Sequence, residues 1–121
     1  MTQAKTKTAD DDKRAMRMFE TGATRDSCDD KPDYEGFLSP RVIEAFGDYM
    51  HHHRHQADGH IRDSDNWQKG ITKEVYMKSL WRHFVALWKA HRGLGGDIDE
   101  ALAAIMFNTQ GYWHELLKES E

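Results

Sequence analysis

The chain has one cysteine, two prolines and no apolar run near the roughly 18 to 20 residues that cross a bilayer. The lone Cys28 cannot close an internal disulfide, and its acidic surroundings do not favour a reactive thiolate. Positive charge is in deficit, with 17 Lys and Arg against 21 Asp and Glu and a formal charge of −4. A sequence-independent grip on phosphate backbones needs the opposite balance, so no nucleic-acid polymer is expected as a partner. The N-terminal residues mix Lys, Thr and Asp without the apolar stretch of a signal peptide, so a cytoplasmic protein without membrane contact is expected. Strand signals, internal repeats and sustained heptads are lacking as well.

What remains is a wet but aromatic chain of 121 residues, 38% hydrophobic and 31% charged, with four Trp. That is enough for one domain, and large aromatic groups in so small a domain favour oligomerisation. Residues 1 to 18 offer only Met1, Met16 and Met18 to a core and read as a solvated tail. Residues 19 to 121 read as a single helical domain. The expected fold is all-α, a small bundle of three principal helices that oligomerises.

Thr21 to Pro32 is rich in short and charged residues, as suits an extended loop. The first helix is expected from Ser39-Pro40, where Ser can cap and Pro needs no amide partner, to about His55. Val42, Ile43, Phe46, Tyr49, Met50 and His53 share one side of its wheel; Glu44, Asp48, His51 and His55 share the other. Asp58-Gly59 marks a turn, and Arg62 to Gly70 a polar loop around Trp67. The second helix is expected from Thr72 to Arg92, heavily packed, with Tyr76, Met77, Leu80, Trp81, Phe84, Leu87, Trp88 and His91 on one side. Asp97 and Glu100 have capping-box spacing and open the third helix. Its core side is expected to carry Ile98, Leu102, Ile105, Met106, Trp113, Leu116 and Leu117. Beside them Ala101, Ala104, Asn108 and Gly111 form a narrow line of small groups, suited to close helix contact within the fold or between subunits.

Chemistry-bearing residues fall into four groups, each with a plainer explanation. Glu44, Asp48, His51 and His55 can converge on a divalent cation or simply form a solvated face. His83 borders a core face, where it either satisfies a structural role or orients water or phosphate. The loop Asp63-Ser64-Asp65-Asn66-Trp67-Gln68-Lys69 offers acceptors, amides, a stacking ring and a cation, which is what reading a nucleobase and its phosphates requires. Its alternative is a loop pinned by Trp67. Arg25 and Lys31 can clamp phosphates without any Walker-type glycine pattern, and Asp99 and Glu100 can ligate a metal or serve only the helix start.

Six stretches together carry a resemblance: Thr21-Gly22-Ala23-Thr24-Arg25-Asp26, Asp33 to Pro40, Arg62 to Gly70, Tyr76 to Phe84, Phe107-Asn108, and Gly111 to Leu116. Over residues 19 to 117 the chain resembles the dATP/dGTP diphosphohydrolase N-terminal domain family, whose members occur largely in phage genomes. The resemblance implies a nucleotide-pool protein of the host cytoplasm that hydrolyses a purine deoxynucleoside triphosphate to monophosphate and pyrophosphate. MazG-like helical enzymes perform that reaction with magnesium or manganese held by helix carboxylates. Here the Glu-x-x-Glu and Glu-x-x-Asp pairs are missing, the second helix from Tyr76 to Arg92 has no carboxylate, and there is no His-Asp pair of the other phosphohydrolase type. In the enzyme reading Glu44 and Asp48, with Asp99 and Glu100, hold Mg or Mn. Arg25, Lys31 and Lys69 then neutralise phosphate, Asp65, Asn66 and Trp67 meet the base, and His83 acts with Glu44 and Asp48 in catalysis. A purine-nucleotide-binding protein without turnover and a structural helical interaction module are the alternatives.

Overall fold

The computed structural model describes residues 16–18, 21–26 and 30–121. Residues 1–15, Phe19 and Cys28 lie outside them, so the expected tail as far as residue 15, the start of the ordered part at Phe19 and the environment of the cysteine do too, whereas the last three residues of that tail, Met16–Met18, form a strand. The chain divides into two compact units, residues 1–39 and 40–121, at the Ser39-Pro40 step. The described structure is mostly helical, as an all-α fold requires.

Within the first unit, β1 (Met16–Met18) pairs antiparallel with β2 (Thr24–Asp26), bringing Arg17 opposite Arg25. These strands are too short for any alternation of polar and apolar residues to announce them, which is why no strand was expected there. A single-turn helix, α1 (Tyr34–Phe37), follows; Asp33 caps it by accepting the Gly36 amide at 3.0 Å.

The second unit holds three long helices. The first, α2, spans Pro40–His52, ending about one turn before the expected His55. Its ladder gives out because the chain turns back: Arg54 donates its amide to His51, and His55 pairs as an isolated bridge with Ile61. A 3-10 turn at Asn66–Lys69 leads to α3 (Lys73–His91), whose Thr72 cap accepts the Val75 amide at 3.3 Å. Asp97 then starts α4 (Ile98–Lys118) by accepting the amides of Asp99 and Glu100 at 3.0 and 3.2 Å. The helices α3 and α4 run antiparallel, and Lys73 closes the open end of the pair on Glu119 at 2.6 Å. Among the described residues no helix is long and apolar enough to cross a membrane.

The core lies between α3 and α4, and it is built from small groups around one ring. Tyr76 is 1% exposed, and Ala101, Ala103, Ala104 and Asn108 are the other buried residues of the pair besides Gly111; the Tyr76 ring meets Phe107 at 6.0 Å between centroids. Gly111 is where the helices come closest: a methyl group built there would overlap Cζ and Cε1 of Tyr76. Asn108 satisfies its own amide by donating Nδ2–H to the Ala104 carbonyl at 2.8 Å. The line of small residues is therefore an internal helix contact.

This arrangement reverses two expectations. On α4 the small residues, rather than Ile98, Leu102, Trp113, Leu116 and Leu117, form the buried side, because only they let the Tyr76 ring reach the helix backbone. The wide face of α3 splits likewise. Tyr76, Leu80, His83, Leu87 and Ala90 form its inner line, whereas Met77, Trp81, Phe84 and Trp88 remain exposed. On α2, Phe46, Tyr49 and Met50 are half-buried, while Val42 and Ile43 are exposed.

Candidate functional site

A cavity of about 490 Å³ opens in the second unit between the last turns of α2 and the loop that follows it. Its shape begins with a tight reversal. Gly59 takes φ +87, a conformation in which a side chain would be strained. Around it Gln56 donates its amide to His60 at 2.9 Å and Arg62 donates to Arg54 at 2.8 Å. Asp58 accepts the His60 amide at 3.0 Å and meets the His60 ring at 3.0 Å, and these bonds hold its carboxyl below the usual range. The reversal is thus hydrogen-bonded from tip to base.

At that base two arginines stand side by side. Arg54 donates Nε–H to the Arg62 carbonyl at 2.7 Å, and both side chains line the cavity. The Arg62 guanidinium has no hydrogen bond or ion pair among the described residues, so its donors are available to a ligand. Asp63 and Ser64 continue the rim, and Asn66 begins the 3-10 turn by donating its amide to the Asp63 carbonyl at 3.1 Å.

Trp67 forms the floor. Its ring meets Phe107 edge-on at 6.2 Å and His114 at 4.9 Å between centroids, fixing the loop to α4. Trp67 and Phe107, with Ile71 and Met50, give the cavity an apolar wall. The lining also takes Tyr49 and His51 from α2 and His53 just beyond its end. The His53 ring packs on Tyr49 at 4.0 Å and donates Nδ1–H to the Tyr49 carbonyl at 2.9 Å. Since a carbonyl only accepts, this bond places a proton on Nδ1 and leaves Nε2 as the ring nitrogen not engaged with it. His52 is tied in the same way to the Asp48 carbonyl at 2.8 Å. Burial pushes the Tyr49 phenol upward, and the negative charge of Glu100 on α4 adds to the shift.

Of the residues singled out from the sequence, His51, Asp63, Ser64, Asn66 and Trp67 line this cavity. Asp65 and Lys69 belong to the same turn without lining it. Glu44 and Asp48 are exposed on α2, while Asp99 and Glu100 occupy the first turn of α4, where Asp97 binds their amides. Among the described residues no group of three or more His, Cys, Asp or Glu side chains is gathered for a metal. The line Glu44, Asp48, His51 and His55 is broken because α2 stops at His52. His83 is on the half-buried inner line of α3 and does not line the cavity. Arg25 on β2 and Lys31 are exposed residues of the first unit.

The residues that sequence reasoning did not single out are Arg54, Tyr49, His53 and Phe107, with Arg62 seen only as the start of a loop. A signal for the arginine pair was present: a turn at Asp58-Gly59 places residues 54 and 62, four positions before 58 and three after 59, across from one another. Compared with known protein families, curated proteins and solved structures, the chain finds no match.

Proposed function

We propose that this protein binds a purine nucleotide in the cavity between α2 and the Arg54-to-Lys69 loop. The observation that carries the reading is the meeting of unlike groups in one cavity: the Trp67 and Phe107 rings together with Arg54 and Arg62. A flat, apolar base with a charged phosphate tail asks for that combination. Asn66, Ser64 and Asp63 supply the amide, hydroxyl and carboxylate that distinguish donor from acceptor edges of a base. A volume near 490 Å³ lies within the range of small-molecule sites.

The family resemblance adds hydrolysis to the reading. Mg or Mn on Glu44 and Asp48 would supply charge neutralisation and an activated water in that case. Binding stands on the cavity itself, so it is the part proposed first. Asn66 and Trp67 take the base, and Arg54 and Arg62 the phosphates.

Calorimetric titration with dATP, dGTP and inorganic triphosphate tests it. A purine nucleotide is expected to bind with about one molecule per chain, and Arg62→Ala to weaken it at least tenfold, since charge-assisted bonds to phosphate contribute more than about 1.4 kcal/mol. No heat of binding up to millimolar nucleotide, or affinity indifferent to both Arg62→Ala and Trp67→Ala, would sink the reading. The same samples, supplied with manganese and followed by chromatography, separate sequestration from turnover. Pyrophosphate release lost in Glu44→Gln marks an enzyme.

A further inference from the structure

Outside the cavity, the largest unexplained feature is the outer line of α3. Trp81 is 66% exposed, Trp88 54% and Phe84 53%, with Met77 beside them at 43%. Met77, Leu80, Trp81 and Phe84 enclose, with Ile105 of α4, an apolar hollow of about 240 Å³. Ile98 and Leu102, also exposed, precede Ile105 at helical spacing on α4. With about 150–250 Å² per aromatic side chain, this face leaves on the order of 600 Å² of apolar surface in water. A stable interface takes roughly 800 Å² from each partner, a little over half of it apolar. One face of this pair of helices is enough.

We infer that this face is covered by a second copy of the same chain, with α3 lying antiparallel on α3 of the partner. The spacing of the exposed residues is what selects that occupant. Positions 77, 81, 84 and 88 advance by four, three and four, so the pattern reads the same in both directions. An antiparallel twofold pairing then sets each of these residues against another of the same four, apolar against apolar. With the axis between Arg82 and His83, Trp81 faces Phe84 and Met77 faces Trp88 across the interface. The same line extends by one step at each end to Glu74 and His91, both exposed and neither with a partner among the described residues. Reversal sets Glu74 against His91 of the partner subunit, an acid against a base, at both ends. Lys78, Arg82 and Lys89 lie off this line; Arg92, whose guanidinium lies over the Trp88 ring at 5.8 Å, comes opposite Lys73 of the partner subunit, a cation already paired with Glu119.

Light scattering on the full chain during size-exclusion chromatography gives the test. The wild type is expected to elute at twice the 14.1 kDa chain mass at micromolar concentration. Trp81→Glu places two carboxylates near the axis and is expected to raise the dissociation constant at least a hundredfold, with helical circular dichroism retained because Trp81 is not in the core. Trp81→Ala, which cannot upset folding by charge, is expected to weaken the dimer at least tenfold. Register is tested separately: Glu74→Lys weakens the dimer, and adding His91→Glu restores it. A wild-type monomer at tens of micromolar overturns the proposal, whether the face stays in water or is covered by residues of the first unit. A dimer indifferent to Trp81→Glu overturns it too, and failure of the charge exchange to restore association overturns the antiparallel register.

Discussion

Replacing Gly111 by alanine adds one methyl group at the closest approach of α3 and α4. In an open helix that change stabilises by about 1 kcal/mol, because glycine is the poorer helix former. Here the new carbon overlaps Cζ and Cε1 of Tyr76 and falls 2.6 Å from its hydroxyl oxygen. The ring cannot swing aside freely, since it is 1% exposed and packs edge-on against Phe107. Relief must come from separating the helices. Overpacking of this kind costs about 1–3 kcal/mol, and the severity of the overlap puts Gly111→Ala at the upper end, for a net loss of about 2 kcal/mol after the gain in helix propensity. At this chain length such a loss lowers the melting temperature by about 10 °C. Thermal and urea unfolding followed by circular dichroism measure it. Tyr76→Leu, whose side chain ends short of the overlapping atoms, supplies the control: on that background Gly111→Ala becomes neutral or stabilising, giving a coupling of about 2–3 kcal/mol in the cycle. A Gly111→Ala protein as stable as the parent, or additive effects of the two changes, would refute the account of the core.

Tyr76→Phe has the opposite expectation. The hydroxyl is buried with no hydrogen-bond partner, so its removal leaves stability unchanged or raises it by up to about 1 kcal/mol, read from the urea midpoint. Stability also depends on alkali in a defined direction. Burial raises Tyr49 and Tyr76, with Glu100 and Glu115 adding to each, and the bond to Glu119 raises Lys73. Because all three hold their protons more firmly folded than unfolded, their contribution is complete below about pH 10 and is lost as the pH rises through the raised folded values. Melting temperatures from pH 8 to 11.5 are expected to fall above pH 10, with a shallower fall in a Tyr49→Phe, Tyr76→Phe double variant; equal slopes would contradict the assignment.

The helix starts were legible because they depend on neighbours in the chain. Thr72 and Asp97 cap as their sequence context requires, and each needs only amides two or three residues away. The sidedness of α3 and α4 was not legible to the same degree. A helical wheel ranks residues by apolarity, and on that scale Trp113 outranks Gly111 for the core. Packing is decided by how closely two backbones approach, which depends on Tyr76 reaching across to another helix. The cavity divides similarly. Asn66 and Trp67 announce themselves within one polar loop, whereas Phe107 becomes a wall only after α4 has folded beneath the loop. The end of α2 was misjudged by about a turn because the polar run after Met50 carries no stop of its own; the bridge between His55 and Ile61 supplies it.

The helical pair α3 and α4 also bears on how the chain folds. Its two members follow one another with only a short turn between, and the Lys73–Glu119 clasp joins their far ends. Closing such a hairpin costs little loop entropy, and its contacts accumulate like the teeth of a zip from the turn outward. The cavity is the reverse case, since its walls come from α2, from the loop and from Phe107 on α4. Its walls must therefore assemble on a hairpin already closed, making the cavity a late arrival in folding and the first part of the unit to loosen when stability is drawn down.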